Sequence, residues 1–468
     1  MLVAHINRFR SRLSNIHPVH KRIAKSAARI SLFVIVGKCA GAFKEMSIAY
    51  RYGISDVVDA YQLTFTLSTF LPSIFIGCMS IVLIPTLVAL RTATKAKQAK
   101  FVSEVEVASV SLGILMALIL YLLWDPLLNM IAADLSEQTR AISRQLEFGM
   151  LPVGALLLTI CVSAARLQAR ERHVNTLLEC VPSATVLASV LFAHNSQSPA
   201  PLMWGTVIGF ILQATLLRVL ALRADSIRVT PRFSLTSPEW PYIYRSVGVV
   251  LFGGIVVGLA TPLDQYYLAH LGDGAIATAA YANRLLALLL GIGALAIGRA
   301  TLPILSEVLS TGDMVRARDT AVKWSFLMLG SGAVTMAVPW LLAPWGVALL
   351  FEHGAFTSQD TMAVSTLLRW GLVQVPFYLA GLVLLQLFAG QRRFHEIAVV
   401  AVISFALKAL ANFWLVRWFG VVGVLLATAV MNAGALGCYF LLFVVRYNHM
   451  ATDHADESSR MEDVVRKR

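Results

Sequence analysis

Charged side chains are scarce in this sequence. Asp, Glu, Lys and Arg make up 14% of the 468 residues, whereas 57% of the residues are apolar and the mean hydropathy is +0.71. Soluble domains carry about 25% charged residues, so a soluble protein of this length is excluded. Most of the chain must contact lipid or other helices, which predicts an integral membrane protein.

Motifs that hold metals, disulfides or nucleotides are missing. The five cysteines lie in apolar segments and form no CxxC pair; they are Cys39, Cys78, Cys161, Cys180 and Cys438. Their positions favour small apolar side chains in the interior over a zinc site or a disulfide framework. There is no GxxxxGK[ST] loop for ATP and no long loop with clustered carboxylates or histidines. The sequence therefore predicts neither a metal centre nor an enzyme.

Apolar segments long enough to cross a bilayer fill nearly the whole chain. A spanning helix needs about 20 mostly apolar residues, and charges or clusters of Pro, Gly and Ser separate such segments here. The predicted spans are 30–52, 61–90, 107–132, 145–165, 176–194, 202–222, 246–271, 276–306, 324–350, 362–389, 397–416 and 421–446. We therefore expect an all-α integral membrane protein with about twelve transmembrane helices.

The distribution of the basic residues along the chain explains the formal net charge of +13. The predicted loops on one side of the membrane contain Arg91, Lys95, Lys97, Lys100, Arg166, Arg170, Arg172, Arg223, Arg228, Arg232, Arg245, Arg316, Arg318, Lys323, Arg392 and Arg393. The opposite loops and helix ends contain only Arg51, Arg140, Arg144 and Arg417. The positive-inside rule therefore predicts that both termini are cytoplasmic. Contact with anionic lipid headgroups accounts for the charge, so no nucleic-acid partner is needed.

The spans divide the chain into two halves of the same predicted orientation. We expect a basic cytoplasmic tail (1–28), a six-helix lobe (29–222), a cytoplasmic linker (223–245), a second six-helix lobe (246–446) and a charged cytoplasmic tail (447–468).

A weak internal repeat supports two parallel halves. Tyr61 precedes Pro85 by 24 residues in the second span, and Tyr281 precedes Pro303 by 22 residues in the eighth. Transporters built from such repeats bind their substrate where the repeats meet. The sequence therefore predicts a central cavity between the two lobes.

Several charges fall inside predicted spans, where each one costs about 2.5–3.5 kcal/mol on insertion scales. They are Lys38, Lys44, Glu45, Asp264, Arg284 (beside Asn283), Arg369 and Lys408. At 100° per residue, Lys38, Lys44 and Glu45 lie on one face of the first span. One interpretation is pairing between helices, such as Glu45 with a basic neighbour or Asp264 with Arg284. The other is a cavity with an excess of cations, which suits an anionic substrate and phosphate above all.

Short motifs resemble the MurJ/MviN lipid II flippases of the MOP exporter superfamily. They are the stretch KCAGAFKE at 38–45, the Tyr52-Gly53 turn, Asp59-Ala60, Ile84-Pro85, YANRL at 281–285, Leu302-Pro303 and LFEHGAFT at 350–357. The resemblance runs from about residue 30 to 446. It implies two parallel six-helix halves around a central cavity, as in MATE transporters.

The resemblance also implies roles for particular residues. Lys38, Lys44, Asp59 and Arg284 correspond to residues that handle the pyrophosphate of a polyprenyl-linked saccharide, and Glu45 and Asn283 lie beside them. The polar residues that correspond to a cation site are Asp264, Asn412 and Thr428. The expected cofactors are accordingly none, apart from a coupling cation such as Na⁺ or H⁺.

Two departures from the family pattern bear on the substrate. Pro72-Ser73 stands where the family has an arginine, and no apolar span follows 421–446 where lipid II flippases usually have two more helices. The resemblance therefore implies either lipid II or a related lipid-linked saccharide.

The resulting expectation is a flippase of the bacterial inner membrane that works by alternating access. Its expected partners are the lipid-linked substrate, the bilayer and proteins of cell-envelope glycan synthesis. The alternatives are a flippase for an exopolysaccharide or O-antigen-type repeat unit, a MATE-type drug or cation antiporter, a membrane-embedded enzyme and a scaffold that transports nothing.

Overall fold

The computed structural model describes residues 18–466 except 194–197, 228, 311–313 and 392. Side chains are described within 32–443, apart from those gaps and from 249–250, 252, 295–296, 298–318 and 394. Nearly all of the described residues are α-helical, and none of them forms a β-strand. The predicted all-α fold class is confirmed.

Long helices and shorter broken ones alternate along the chain. They are α1 (Pro18–Tyr52), α2 (Asp56–Ala89), α3 (Lys95–Ile131), α4 (Glu137–Met150), α5 (Val153–Ala169), α6 (Val174–Leu178), α7 (Cys180–Leu191), α8 (Ala200–Asp225), α9 (Trp240–Gly258), α10 (Ala260–Ala269), α11 (Ala275–Ser310), α12 (Met314–Phe351), α13 (Ser358–Leu372), α14 (Gln374–Gly390), α15 (Phe394–Phe419) and α16 (Val421–Arg466).

Nine helices in the described part of the chain are long and apolar enough to cross a membrane, or eleven when two bent pairs are each taken as one span. The remaining predicted span, 30–52, lies within α1, which contains Lys38, Lys44 and Glu45. The count of twelve therefore stays a prediction.

The prediction that 145–165 forms one helix is wrong. This region contains α4 and α5, whose axes differ by 44°. The break falls at Leu151 and Pro152, where the proline has no backbone N–H to donate within a continuous helix. The predicted span 362–389 falls within one candidate span, Ser358–Gly390, which α13 and α14 form together.

The helices pack as two groups that follow the chain order. In the N-terminal group, α2 packs on α5 and α7 packs on α8; in the C-terminal group, α12 packs on α14 and α15 packs on α16. Helix α9 contacts both groups, through α2 and α15. Its Gly254 and Gly258 lie against Ile74 of α2, where a Cβ at Gly258 would come within 2.9 Å of the Ile74 side chain.

The two groups are joined at one end of the bundle, which we call the closed end (residues 50–59, 136–139, 273–281 and 351–356). The carboxylate of Asp59 accepts backbone hydrogen bonds from Gly274 and Ala277 at the start of α11. The Tyr281 hydroxyl donates to the Gly53 carbonyl over 3.0 Å. A helix N-terminus leaves backbone donors unpaired, and the Asp59 carboxylate satisfies two of them. By the positive-inside rule, the closed end is predicted to face outside.

The opposite end holds a network of buried charges. Arg166 has a side chain that is only 1% exposed, and it pairs with Asp225 at 2.8 Å and with Glu106 at 2.5 Å. Glu104 accepts hydrogen bonds from the Trp240 indole at 2.8 Å and the Ser237 amide at 3.1 Å. These contacts attach the start of α9 to α3 and satisfy charges that would otherwise be costly to bury.

Candidate functional site

An ion cluster connects the two helix groups between α1 and α11. Oε1 of Glu45 lies 2.8 Å from Nζ of Lys44 and 3.0 Å from Nε of Arg284. The Glu45 side chain is 5% exposed, so its charge needs these partners. The alternative in which Glu45 pairs with a basic neighbour is confirmed.

The cluster keeps more positive charge than Glu45 neutralises. Lys38, Lys44 and Arg284 line the smaller cavity with Glu45, and the carboxylate of Glu179 lies near Lys38, so three cations face two carboxylates. The Arg284 side chain is 44% exposed, and neither of its Nη groups donates to a described residue. Nε of Arg284 thus contacts Glu45, while the outer edge of the guanidinium has no partner among the residues that the structure describes. That free edge has the geometry to grip a phosphate.

The larger cavity, about 460 Å³, lies mainly inside the N-terminal group. Its walls come from α1, α2 and α5–α8, and among the described residues of the C-terminal group Arg284 alone lines it. Besides Lys44 and Arg284, the polar lining consists of Tyr61, Ser80, Gln168, Asn175, Glu179, Ser183, Thr206 and Gln213. Most of these side chains are neutral hydrogen-bonding groups, as suits hydroxyl-rich ligands.

A smaller cavity of about 230 Å³ adjoins the first one and lies between α1 and α11. Lys44, Ser183 and Arg284 line both cavities, so the cations sit where the two meet. Gly37 and Gly41 on α1 face open space, and Lys38 reaches towards Gly291 of α11. The cationic cluster therefore separates a polar chamber from a space bounded by two helices.

The structure distributes the sequence-predicted residues unevenly. It brings Lys38, Lys44, Glu45 and Arg284 together around the smaller cavity. Asn283 is exposed and lines neither cavity, and Asp59 is fully buried at the closed end. The prediction of a cavity between the lobes fits the smaller space only, because packing of α5–α8 encloses the larger one.

Sequence reasoning missed most of the polar lining. Gln168, Glu179 and Gln213 lie in or beside predicted spans. The available signal was the presence of single polar residues within apolar runs. Glu179 separates α6 from α7, so the break in the helix exposes its carboxylate to the cavity.

The three residues considered for a cation lie in the C-terminal group, away from both cavities. Nζ of Lys408 lies 2.8 Å from Oδ2 of Asp264 and 2.8 Å from Oγ1 of Thr428. Asn412 is fully buried one helical turn from Lys408. The alternative in which Asp264 pairs with Arg284 is wrong: Lys408 is the closer cation and takes this carboxylate.

Comparison with known proteins identifies the family. The family model described as "Lipid II flippase MurJ" matches residues 48–456. A probable lipid II flippase MurJ of Bdellovibrio bacteriovorus is 30% identical over 236 residues, which cover 50% of this chain and 45% of that relative. The corresponding proteins of Buchnera aphidicola and Synechocystis are 21% and 22% identical, over 85% and 88% of this chain and 79% and 80% of theirs.

Solved structures show the same fold. The structure titled "Lipid II flippase MurJ, inward closed conformation" superposes with a TM-score of 0.75 at 20% identity, over 90% of this chain and 87% of that one. An inward-facing MATE transporter of the MOP superfamily superposes with a TM-score of 0.68 at 14% identity, over 90% and 99%. This multi-pass membrane protein thus has the MOP fold, and its sequence places it in the MurJ family, a family of transporters.

Proposed function

We propose that this protein flips a polyprenyl-pyrophosphate-linked saccharide, such as lipid II, from the inner to the outer leaflet of the bacterial cytoplasmic membrane. The observation that carries the proposal is the position of Lys44 and Arg284 at the junction of the two cavities, with Lys38 beside them in the smaller one. Charged side chains inside a bilayer are energetically costly, and binding of a dianionic pyrophosphate offsets that cost.

The geometry suggests where each part of the substrate goes. The pyrophosphate binds the free edge of Arg284 and the Lys44 ammonium. The saccharide enters the chamber of about 460 Å³, whose amide and hydroxyl side chains can hydrogen-bond sugar hydroxyls. The prenyl chain stays in lipid beside α1 and α11, because its transfer into a polar chamber would forfeit hydrophobic stabilisation.

Glu45 gives the cycle a resting state. When no substrate is bound, its carboxylate partly neutralises Lys44 and Arg284, so the empty cavity can close without burying bare cations. When pyrophosphate binds, the same carboxylate repels it and limits the affinity. A carrier needs this balance, since a substrate that binds too tightly is not released.

Transport requires the closed end to open. Asp59, Tyr281 and the loop around Gly354 join the two helix groups there, and each contact is a hydrogen bond or close backbone approach that rigid-body rocking can break. We infer that both termini are cytoplasmic, so that this end releases the headgroup outside.

A second candidate is a flippase for an exopolysaccharide or O-antigen-type repeat unit. The neutral polar lining of the larger cavity favours this candidate as much as lipid II. Both headgroups are rich in hydroxyl groups that such side chains can hydrogen-bond. A carrier of cationic drugs is disfavoured, since cations outnumber carboxylates at the cluster.

Growth of bacteria depleted of their own lipid II flippase tests the proposal. We expect the wild-type chain to sustain growth and outward exposure of lipid II, and Arg284→Ala to lose both. Arg417→Ala is the matched control, because Arg417 contacts the Phe413 ring and lines neither cavity. If the wild-type chain reaches the membrane and does not rescue, lipid II is not its substrate and the repeat-unit candidate stands. Rescue by Arg284→Ala at the wild-type level would contradict the role of the cationic cluster.

A further inference from the structure

A second buried ion pair lies in the C-terminal group at the meeting of three helices. Lys408 of α15 has a side chain that is 2% exposed, and its ammonium bridges Asp264 of α10 and Thr428 of α16 at 2.8 Å each. None of these residues lines the cavities described above. The pair therefore has no direct part in holding the headgroup.

The residues do not fit a bound metal cation. A hard cation such as Na⁺ needs several oxygen ligands around a free position. Here the Lys408 ammonium already lies at hydrogen-bond distance from the carboxylate and the hydroxyl that would supply two of those ligands. Only one carboxylate is present, so the pair is neutral and an added cation would face an adjacent ammonium in a medium of low dielectric constant.

The polar groups near Lys408 indicate which ligands the site would offer to a cation if the ammonium were absent. Asn412 is fully buried and its amide lies beside the Asp264 carboxylate, although neither of its side-chain polar atoms makes a well-formed hydrogen bond to a described residue. The same is true of Oδ1 of Asp264. Because residues four apart share a helix face, Asn412 lies on the side of α15 that carries Lys408. Two oxygen atoms thus contact the Lys408 ammonium, and the Asn412 amide lies beside one of the two side chains that supply them.

We propose that the Lys408 ammonium is the built-in cation of this site, so that Na⁺ neither binds there nor is needed for the transport cycle. The statement about binding stands by itself, and the statement about the cycle rests on the proposed function. A covalently attached cation cannot leave, so the C-terminal group stays in one electrostatic state without any sodium gradient.

Thermal unfolding of the purified full-length protein in detergent tests the binding statement. We compare NaCl with choline chloride at equal ionic strength. The wild type should have the same Tm in both salts. Lys408→Asn removes the ammonium and adds an amide oxygen, so we expect Na⁺ to raise its Tm by about 2 °C or more, as specific ligands of the native state do. Lys323→Asn, an exposed lysine of α12, is the control and should show no difference between salts.

Each result decides the matter. A saturable rise in Tm of the wild type with Na⁺, lost in Asp264→Asn, would overturn the proposal. So would a Lys408→Asn protein that folds and shows no response to Na⁺. If Lys408→Asn fails to fold, Lys408→Gln is measured instead, with the same expectation. Flipping in sodium-free proteoliposomes tests the second statement, and a loss of flipping restored by Na⁺ alone would contradict it. The Tm experiment does not depend on flipping, so its failure differs from failure of the proposed function.

Discussion

At the scale of single residues, the proposed substrate site depends on one carboxylate, Glu45, that contacts two cationic side chains. Oε1 of Glu45 contacts both Lys44 and Arg284, while Oε2 has no hydrogen-bond partner among the described residues. The ion pair between Glu45 and Arg284 therefore joins the two helix groups at this point. Because Glu45 is buried, its charge needs a partner when this pair breaks, and Lys44 stays beside it on α1 throughout the cycle.

Changing Glu45 to Gln should separate binding from release. The amide oxygen can still accept from Lys44 or Arg284, but the negative charge is lost. We expect affinity for a short-chain prenyl pyrophosphate, measured by titration calorimetry in detergent, to rise about tenfold, which corresponds to about 1.4 kcal/mol. Flipping should become slower, because the product leaves a more positive site.

The control for Glu45→Gln is Glu171→Gln, at an exposed carboxylate that pairs with Arg91 outside the cavities and the closed end. It should bind and flip as the wild type does. If the affinity for the prenyl pyrophosphate falls or stays unchanged in Glu45→Gln, the main role of Glu45 is to position the cations. It would then not be to weaken their binding of the anion.

At the scale of helices and turns, the closed end depends on glycine. Gly354 has φ = 66°, in the left-handed region, and a Cβ there would lie 2.3 Å from the Tyr50 carbonyl oxygen. Gly53 has φ = 57° and would place a Cβ 2.6 Å from the Ala355 carbonyl oxygen. Two turns thus approach each other backbone to backbone, joined by a 2.8 Å hydrogen bond from the Ala355 amide to the Tyr50 carbonyl. Any side chain at Gly354 would have to push the groups apart.

Gly354→Ala should therefore shift the protein towards an open form at the closed end. The left-handed conformation alone costs a non-glycine residue about 1–2 kcal/mol, so the open fraction should rise about tenfold. Distances between spin labels at the exposed positions Gln138 and Ser358, in a variant without the native cysteines, measure this fraction. Gly346→Ala on α12 is the control, since a Cβ there meets nothing within 4 Å. A distance distribution equal to the wild type would contradict the account.

The sequence predicts the helices well and their breaks poorly. Apolar runs bounded by charges locate most spans, because lipid imposes a strong length requirement. The division between α4 and α5 falls at Pro152, but α2 continues through Pro72 and Pro85, so a proline alone does not predict a break, and the run is apolar whether or not it bends. Hydropathy therefore cannot separate one straight span from two bent helices.

At the scale of the whole molecule, the sequence identifies the charged residues inside predicted spans. It does not identify all of the residues with which they pair. Lys38, Lys44, Glu45 and Arg284 are brought together as the resemblance implies. Lys408 and Asp264 are 144 residues apart in the sequence, and only the packing of α10, α15 and α16 shows that they pair. The position of the larger cavity inside the N-terminal group was not predicted, because single polar residues in apolar runs show no periodic pattern.

The division of labour between the two helix groups follows from these placements. The N-terminal group encloses the polar chamber, and the C-terminal group contributes Arg284 at its edge and keeps its own ion pair apart. The closed end connects the groups through Asp59 and Tyr281. Rocking of one group on the other can thus expose the chamber to either side in turn, as alternating access requires.

The most direct test of this account is flipping of fluorescently labelled lipid II by the purified protein in liposomes, followed with a membrane-impermeant quencher. The account predicts that the protein moves label between leaflets at least about tenfold faster than protein-free liposomes do, and that Arg284→Ala reduces this rate to the background while Arg417→Ala does not. A wild-type rate equal to that of protein-free liposomes, in vesicles that contain folded protein, would contradict lipid II transport by this chain.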